Sequence, residues 1–263
     1  PDKVGRFVLD GAVDPTLNSA QQTLQQAVGF DSAFKAFAAD CMKQSNCALN
    51  GDFATQIQEK LAELRNSPID VGNRKFTESL AMYGIAFGLY DQQYGWPVLR
   101  KALNDLFNGD GKALLAMADE YNRRDSNGNY TSNDASSLSV ISCSDFPPSG
   151  IDHEALKNEA PIFGKYLMYS EMDCQYLPKP KYELITGPIN LDSKVLVIGT
   201  TNDPATPYQW AVKLASVLVN SVLISVSGEG HTGYNRGDAC VDQAVEKYLI
   251  SELSPAQNLS CGA

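Results

Sequence analysis

The 263-residue chain holds only two histidines, and neither lies near a cysteine in sequence. With no C-x-x-C pair either, zinc is a poor reading of its cysteines. Basic residues are outnumbered, 21 against 31 acidic, for a formal charge of −10, and no basic stripe is present. A polyanion partner needs such a stripe to release counterions, so nucleic acid is excluded as a partner. Long apolar runs are also missing. The strongest, ASVLVNSVLISV, is broken by Ser216, Asn220 and Ser221 and is too short and polar to span a bilayer. No serine has glycine at both i−2 and i+2, so the G-x-S-x-G elbow is absent. There is no internal repeat and no low-complexity run. The chain opens PDKVGRFVLDG, without Met, a signal segment or a transit pattern. Strand-like residues Arg6 to Leu9 appear almost at once. The expectation is a processed or trimmed chain, the back part of something larger.

What is present reads as globular. Hydrophobic residues make up 43% and charged residues 20%, which excludes disorder, collagen and coiled coil. The length suits one large domain or two smaller ones. Six cysteines without metal-ligand spacing argue for disulfides and an oxidising, extracytoplasmic location. Six cysteines allow many connectivities, which sequence alone does not settle. Short loops close at lower entropic cost, favouring Cys41–Cys47. Cys240 and Cys261 flank one predicted helix and its tail, which leaves Cys143 with Cys174.

Residues 4–9 read as a short buried strand ended by Asp10-Gly11. Apolar residues at helical spacing predict helices over 20–40, 53–65, 76–90, 96–107 and 110–123. Residues 125–134 read as a polar loop, and a short helix starts near Asp152. Pro178, Pro180 and Pro188 close the helical stretch. The texture then changes. KVLVIGTT and SVLISVS are continuous apolar runs, as strands covered on both faces would be. Helices follow each, at 208–219 and through DACVDQAVEKYLISEL. This is a parallel α/β pattern. The fold class is therefore α/β, with a helical block of residues 20–182 inserted between a first core strand (1–19) and further α/β core (183–263).

In a parallel sheet, catalytic groups gather at the carboxyl ends of the strands. The two late strands end in TTNDPATP and SGEGHTGY, which place Asp203 and His231 on neighbouring rims. Adjacent strands lie about 4.8 Å apart, so the two side chains can meet. An acid and then a histidine after consecutive late strands form the back half of a nucleophile–acid–base triad. The bland alternatives are an Asp203 that caps the next helix or makes a turn with Pro204, and a His231 bonded to its own loop. His153, at a helix start, reads as a surface residue. DSNGN at 125–129 starts like a calcium loop, but Tyr130 stands where Gly is needed and no Glu closes it. No metal and no cofactor are expected. NYT at 129–131 and NLS at 258–260 match the glycosylation sequon. Tyr83, Phe87, Tyr90, Tyr94 and Trp96 read as helix core, some of them able to line the mouth of a cleft.

PDKVGRFVLDGAVDP, ISCSDFP, CQYLP, VLVIGTTNDPATPYQWA and SGEGHTGY together resemble the later two-thirds of the secreted tripeptidyl-aminopeptidase-like α/β hydrolases of actinobacteria. The resemblance covers nearly the whole chain. It implies the C-terminal portion of an α/β-hydrolase fold with a large helical cap inserted after the sixth strand. It implies Asp203 as triad acid, His231 as base and the cysteine pairing above. The implied activity is serine exopeptidase action on peptide N-termini, or carboxylesterase action as in some relatives; the alternative to an enzyme is a binding module that kept the cap and lost catalysis. CQYLP departs from a common pattern with Trp before the Pro. The chain also starts just after where the family's serine elbow, helix and loop would end. It is therefore expected to be inactive alone and to have the N-terminal hydrolase segment as its partner. Asp145, Glu171 and Asp173 are candidate cap carboxylates for a substrate ammonium, although each reads more readily as a solvated surface acid.

Overall fold

A computed structural model describes residues 3–177, 179 and 183–262. Pro178, Pro180 and the boundary at 182 lie outside the described residues. The elements run β1 (Phe7–Asp10), α1 (Ser19–Cys41), α2 (Phe53–Asn66), β2 (Ile69–Val71), β3 (Arg74–Phe76), α3 (Glu78–Leu89), α4 (Gly95–Phe107) and α5 (Lys112–Tyr121). After these come α6 (Asp134–Asp145), α7 (His153–Glu159), α8 (Gly164–Leu167), β4 (Ile189–Asn202), α9 (Tyr208–Val217), β5 (Leu218–Glu229), α10 (Ala239–Ser251) and β6 (Leu259–Cys261). None of the helices is long and apolar enough to cross a membrane, among the described residues.

The sheet is parallel, in the order β1-β4-β5-β6. The continuous apolar run of β4 has the predicted cause. Leu196 and Ile198 face Val241, Val245 and Tyr248 of α10. Val195 and Val197 face the other way, against Ala211 of α9. Alternate residues thus feed two cores, and no polar position is tolerated between them. Tyr248 also ties strand to strand, its hydroxyl donating to Lys194 O at 2.6 Å and accepting from Phe7 N at 3.0 Å.

The helical block has its own core. α1 starts on a reciprocal cap, with Asn18 Oδ1 accepting from Gln21 N and Gln21 Oε1 accepting from Asn18 N. It then buries Ala27, Phe30, Phe34, Phe37 and Cys41 at spacings of three and four. Against this face pack Ile57, Leu61 and Leu64 of α2, Ile85 and Leu89 of α3, and Leu99 and Leu103 of α4. Asp31, on the same helix, accepts from Ile162 N and Phe163 N and fixes the turn before α8. Burial pushes its carboxyl up to about 6.

Four expectations need correction. The first strand is not buried: it is Phe7–Asp10 at the sheet edge, and Phe7 is 47% exposed. The helix after β4 ends at Val217, because Leu218 and Val219 already belong to β5. The stretch before Asp152 holds a further helix, α6, whose only buried residue is Cys143. The tail after α10 adds a fourth strand, β6. The disulfides join Cys41 to Cys47, Cys143 to Cys174 and Cys240 to Cys261.

Candidate active site

Asp203 follows β4 and His231 follows β5, so the adjacent parallel strands deliver both side chains to one rim. His231 Nδ1 lies 2.9 Å from Asp203 Oδ2 and 3.0 Å from Oδ1. The carboxylate is 1% exposed and the imidazole 24%. A buried carboxylate must be saturated with donors, and this one is. Oδ1 accepts from Ala205 N and Thr206 N, and Oδ2 from Thr206 Oγ1 at 2.9 Å and Thr232 N at 3.3 Å. Asp203 does not cap α9, whose N-cap is Pro207 without a side-chain bond; its Oδ1 closes the turn after Pro204 and also faces the ring. With Nδ1 engaged, Nε2 is the nitrogen turned away from the acid. A neutral imidazole held this way carries its proton on Nδ1 and offers a lone pair on Nε2.

Residues to which the sequence assigns no part in the site hold His231 in place. Asp10, at the carboxyl end of β1, accepts from Gly233 N at 2.9 Å and Tyr234 N at 2.9 Å, two and three residues past the histidine. Burial raises its pKa, opposed by those two amides. Gly11 has φ +64°, and a Cβ there would lie 2.8 Å from His231 Cε1, so only glycine leaves room for the ring. On the helical side, Tyr90 O accepts from His231 N at 2.9 Å, and the Tyr90 ring stands edge-on to the imidazole at 5.1 Å. Asp91 bridges to Gly230 and pairs with Arg236 at 3.1 Å. The histidine loop is therefore gripped from the sheet and from the helices, which sustains the strained left-handed Thr232 (φ +69°). The strand-end rule that locates Asp203 applies equally to Asp10, which its sequence context marks only as a strand terminator.

Replacing Asp10 with alanine strands two amides and is expected to lower stability by about 1–3 kcal/mol. Asp10→Asn keeps one acceptor oxygen and should recover part of it. Thermal denaturation of both variants checks this, and equal melting of wild type and Asp10→Ala would refute it.

The remaining candidates lie elsewhere. Glu171 accepts from Ser149 N and Gly150 N and so clamps a loop. Neither it nor Asp145 nor Asp173 is among the bonded partners of His231. His153 packs edge-on against Tyr169. Asp125 Oδ1 accepts from Asn127 N and Asn129 N, closing its own turn.

Comparison with known proteins adds a lineage to this geometry. Residues 160–261 match the family described as TAP-like protein, an α/β-hydrolase family. Serine protease Hip1 of Mycobacterium tuberculosis is 34% identical, over 99% of this chain and 54% of its own length. Carboxylesterase B of the same organism is 32% identical, over 98% of this chain and 52% of its own. Tripeptidyl aminopeptidase of Streptomyces lividans is 23% identical, over 99% and 50%. The chain thus spans about half the length of the curated relatives it matches. Residues 160–261, with parallel strands and the strand-end acid and histidine, thus form a TAP-like α/β-hydrolase domain.

Proposed function

We propose that this chain is the cap (residues 20–182) and C-terminal core (183–263) of a secreted serine aminopeptidase that releases short peptides from peptide N-termini. Asp203 and His231 are its triad acid and base, and a serine upstream of residue 1 is the nucleophile. The observation that carries this reading is the buried carboxylate 2.9 Å from His231 Nδ1, with Nε2 left to face a reacting group. Nε2 takes the proton from the serine hydroxyl as its oxygen attacks the scissile carbonyl, and Asp203 stabilises the imidazolium that forms. The imidazolium then protonates the leaving amine. Water, deprotonated by the same nitrogen, releases the acyl group. The edge strand β1, with Phe7 exposed, pairs with a strand of the upstream segment. Three disulfides support an extracytoplasmic location, and the −10 charge suits cationic amino ends.

A fluorophosphonate probe tests the assignment. The chain alone should remain unlabelled. The protein with its upstream segment should label at one serine, and His231→Gln should abolish that labelling. Labelling of a serine within residues 1–263 would overturn the reading. Esterase action is the second reading, favoured by the similarity to Carboxylesterase B. Tripeptide anilides with free or acetylated amino ends, run beside p-nitrophenyl esters, separate the two. Loss of turnover on acetylation marks the aminopeptidase.

A further inference from the structure

A cavity of about 460 Å³ lies among α1, α3, α5, α6 and α8, a size that suits small-molecule groups. Two links place it beside the dyad. The Tyr90 ring that touches His231 also lies 6.2 Å from Phe30 and 6.0 Å from Tyr121, both of which line the cavity. Gln26, another lining residue, donates to Ala205 O at 2.7 Å, within the turn that Asp203 caps.

Among the described residues, the lining contains no Asp, Glu, Lys, Arg or His. Aromatic and thioether surface (Phe30, Met82, Tyr83, Tyr121) alternates with hydroxyls. Three of those hydroxyls are engaged: Thr23 bonds Ser170 at 2.8 Å, and Ser139 donates to Ala135 O. Two carboxylates stand behind the lining: Asp31, taken up by the Ile162 and Phe163 amides, and Glu78, behind the lining residue Tyr166. Glu78 is spent on Arg65, Lys165 and the Tyr166 hydroxyl. An ammonium or carboxylate entering would lose water and find no counterion. An apolar ring would meet polarizable and aromatic walls.

We infer that this cavity is the specificity pocket for an uncharged, aromatic or aliphatic substrate group, and that its charge-free lining excludes charged ones. The assignment rests on the hydrolase reading above, but the pocket can be tested apart from it. N-acetyl-L-phenylalanine amide is titrated into the chain while the Met82 methyl resonance is followed. A saturable shift is expected, with at least tenfold weaker binding of the lysine and glutamate amides. Ala86→Trp fills the cavity and should abolish the shift. Ser139→Asp, on the exposed helix α6, adds a charge without filling and should narrow the phenylalanine-to-lysine preference at least tenfold. It serves even where the tryptophan variant does not fold. In the full-length enzyme, kcat/KM should carry the same preference. Binding without any turnover would sustain the pocket and sink the hydrolase reading. No saturable shift, or turnover indifferent to charge, would overturn the pocket and leave the dyad standing.

Discussion

Asp203→Asn in the full-length hydrolase is expected to lower kcat by about 10⁴-fold while leaving the fold intact. The reason is tautomeric. Oδ1 faces the amides of Ala205 and Thr206, so an asparagine would place its carbonyl oxygen there. Its NH₂ then falls at the Oδ2 position, facing His231 Nδ1 and Thr232 N. Nδ1 is forced to accept, its proton moves to Nε2, and the nitrogen that should take the serine proton has no lone pair to do so. Steady-state turnover of an activated ester checks this, with a melting curve to show that the variant is folded. A folded variant with undiminished kcat would remove Asp203 from the mechanism.

Glu78→Gln is expected to be the most destabilising single polar change. Glu78 is 11% exposed and joins α3 to α2 and α8. It accepts bidentate bonds from Arg65 at 2.7 Å, one from Lys165 at 2.7 Å and one from Tyr166 at 2.6 Å. Arg65, chiefly, and then Lys165 and Tyr166 hold its carboxyl down at about 2, against the cost of burial. Removing the charge leaves Lys165 without its partner. Breaking a buried pair costs roughly 3–5 kcal/mol, and the half-exposed Arg65 puts this case near the lower end. That corresponds to a Tm loss of roughly 6–12 °C for a domain of this size. The sign with pH follows from the depressed pKa. The folded state releases the proton more readily than the unfolded state. The contribution is therefore complete above the ordinary carboxyl value near 4.5 and is lost as pH falls toward 2. Wild type and Glu78→Gln should differ at pH 7 and converge in acid. A difference that persists unchanged to pH 2 would show that the charge is not its source.

Legibility in the sequence followed burial on both sides. VLVIG announced a strand because each face of β4 packs on a helix, and the strand-end rule then located Asp203 and His231 without any contact being known. The short loop between Cys41 and Cys47 made that bridge readable. What escaped has equally physical reasons. α6 is serine-rich and largely exposed, pinned by Cys143–Cys174 rather than by an apolar stripe, so it leaves no periodic pattern. β6 has only three residues and is held by Cys240–Cys261. The β2–β3 hairpin is as short, although Gly72-Asn73 is a legitimate turn signal. From sequence, Tyr90 reads as helix core or the lining of a cleft mouth, and Asp10 as a stop. Their grip on the histidine loop joins segments far apart in sequence, which no local pattern encodes. The neutrality of the cavity was invisible too, since it depends on where Glu78 spends its charge.

β1 and β4 lie side by side, yet the chain leaves the sheet beside Ile198 and comes back at Ile189, at the other end of the same strand. The two moorings of the helical excursion are thus roughly 30 Å apart along β4. Tyr90 and Asp91 add a third mooring at the histidine turn. A roof fastened at these points, and by Gln26 of α1 to Ala205 O, does not swing like a door. Any traffic beneath it falls to the weakly packed flank at α6, where Leu138 stands in the open at the cavity's border.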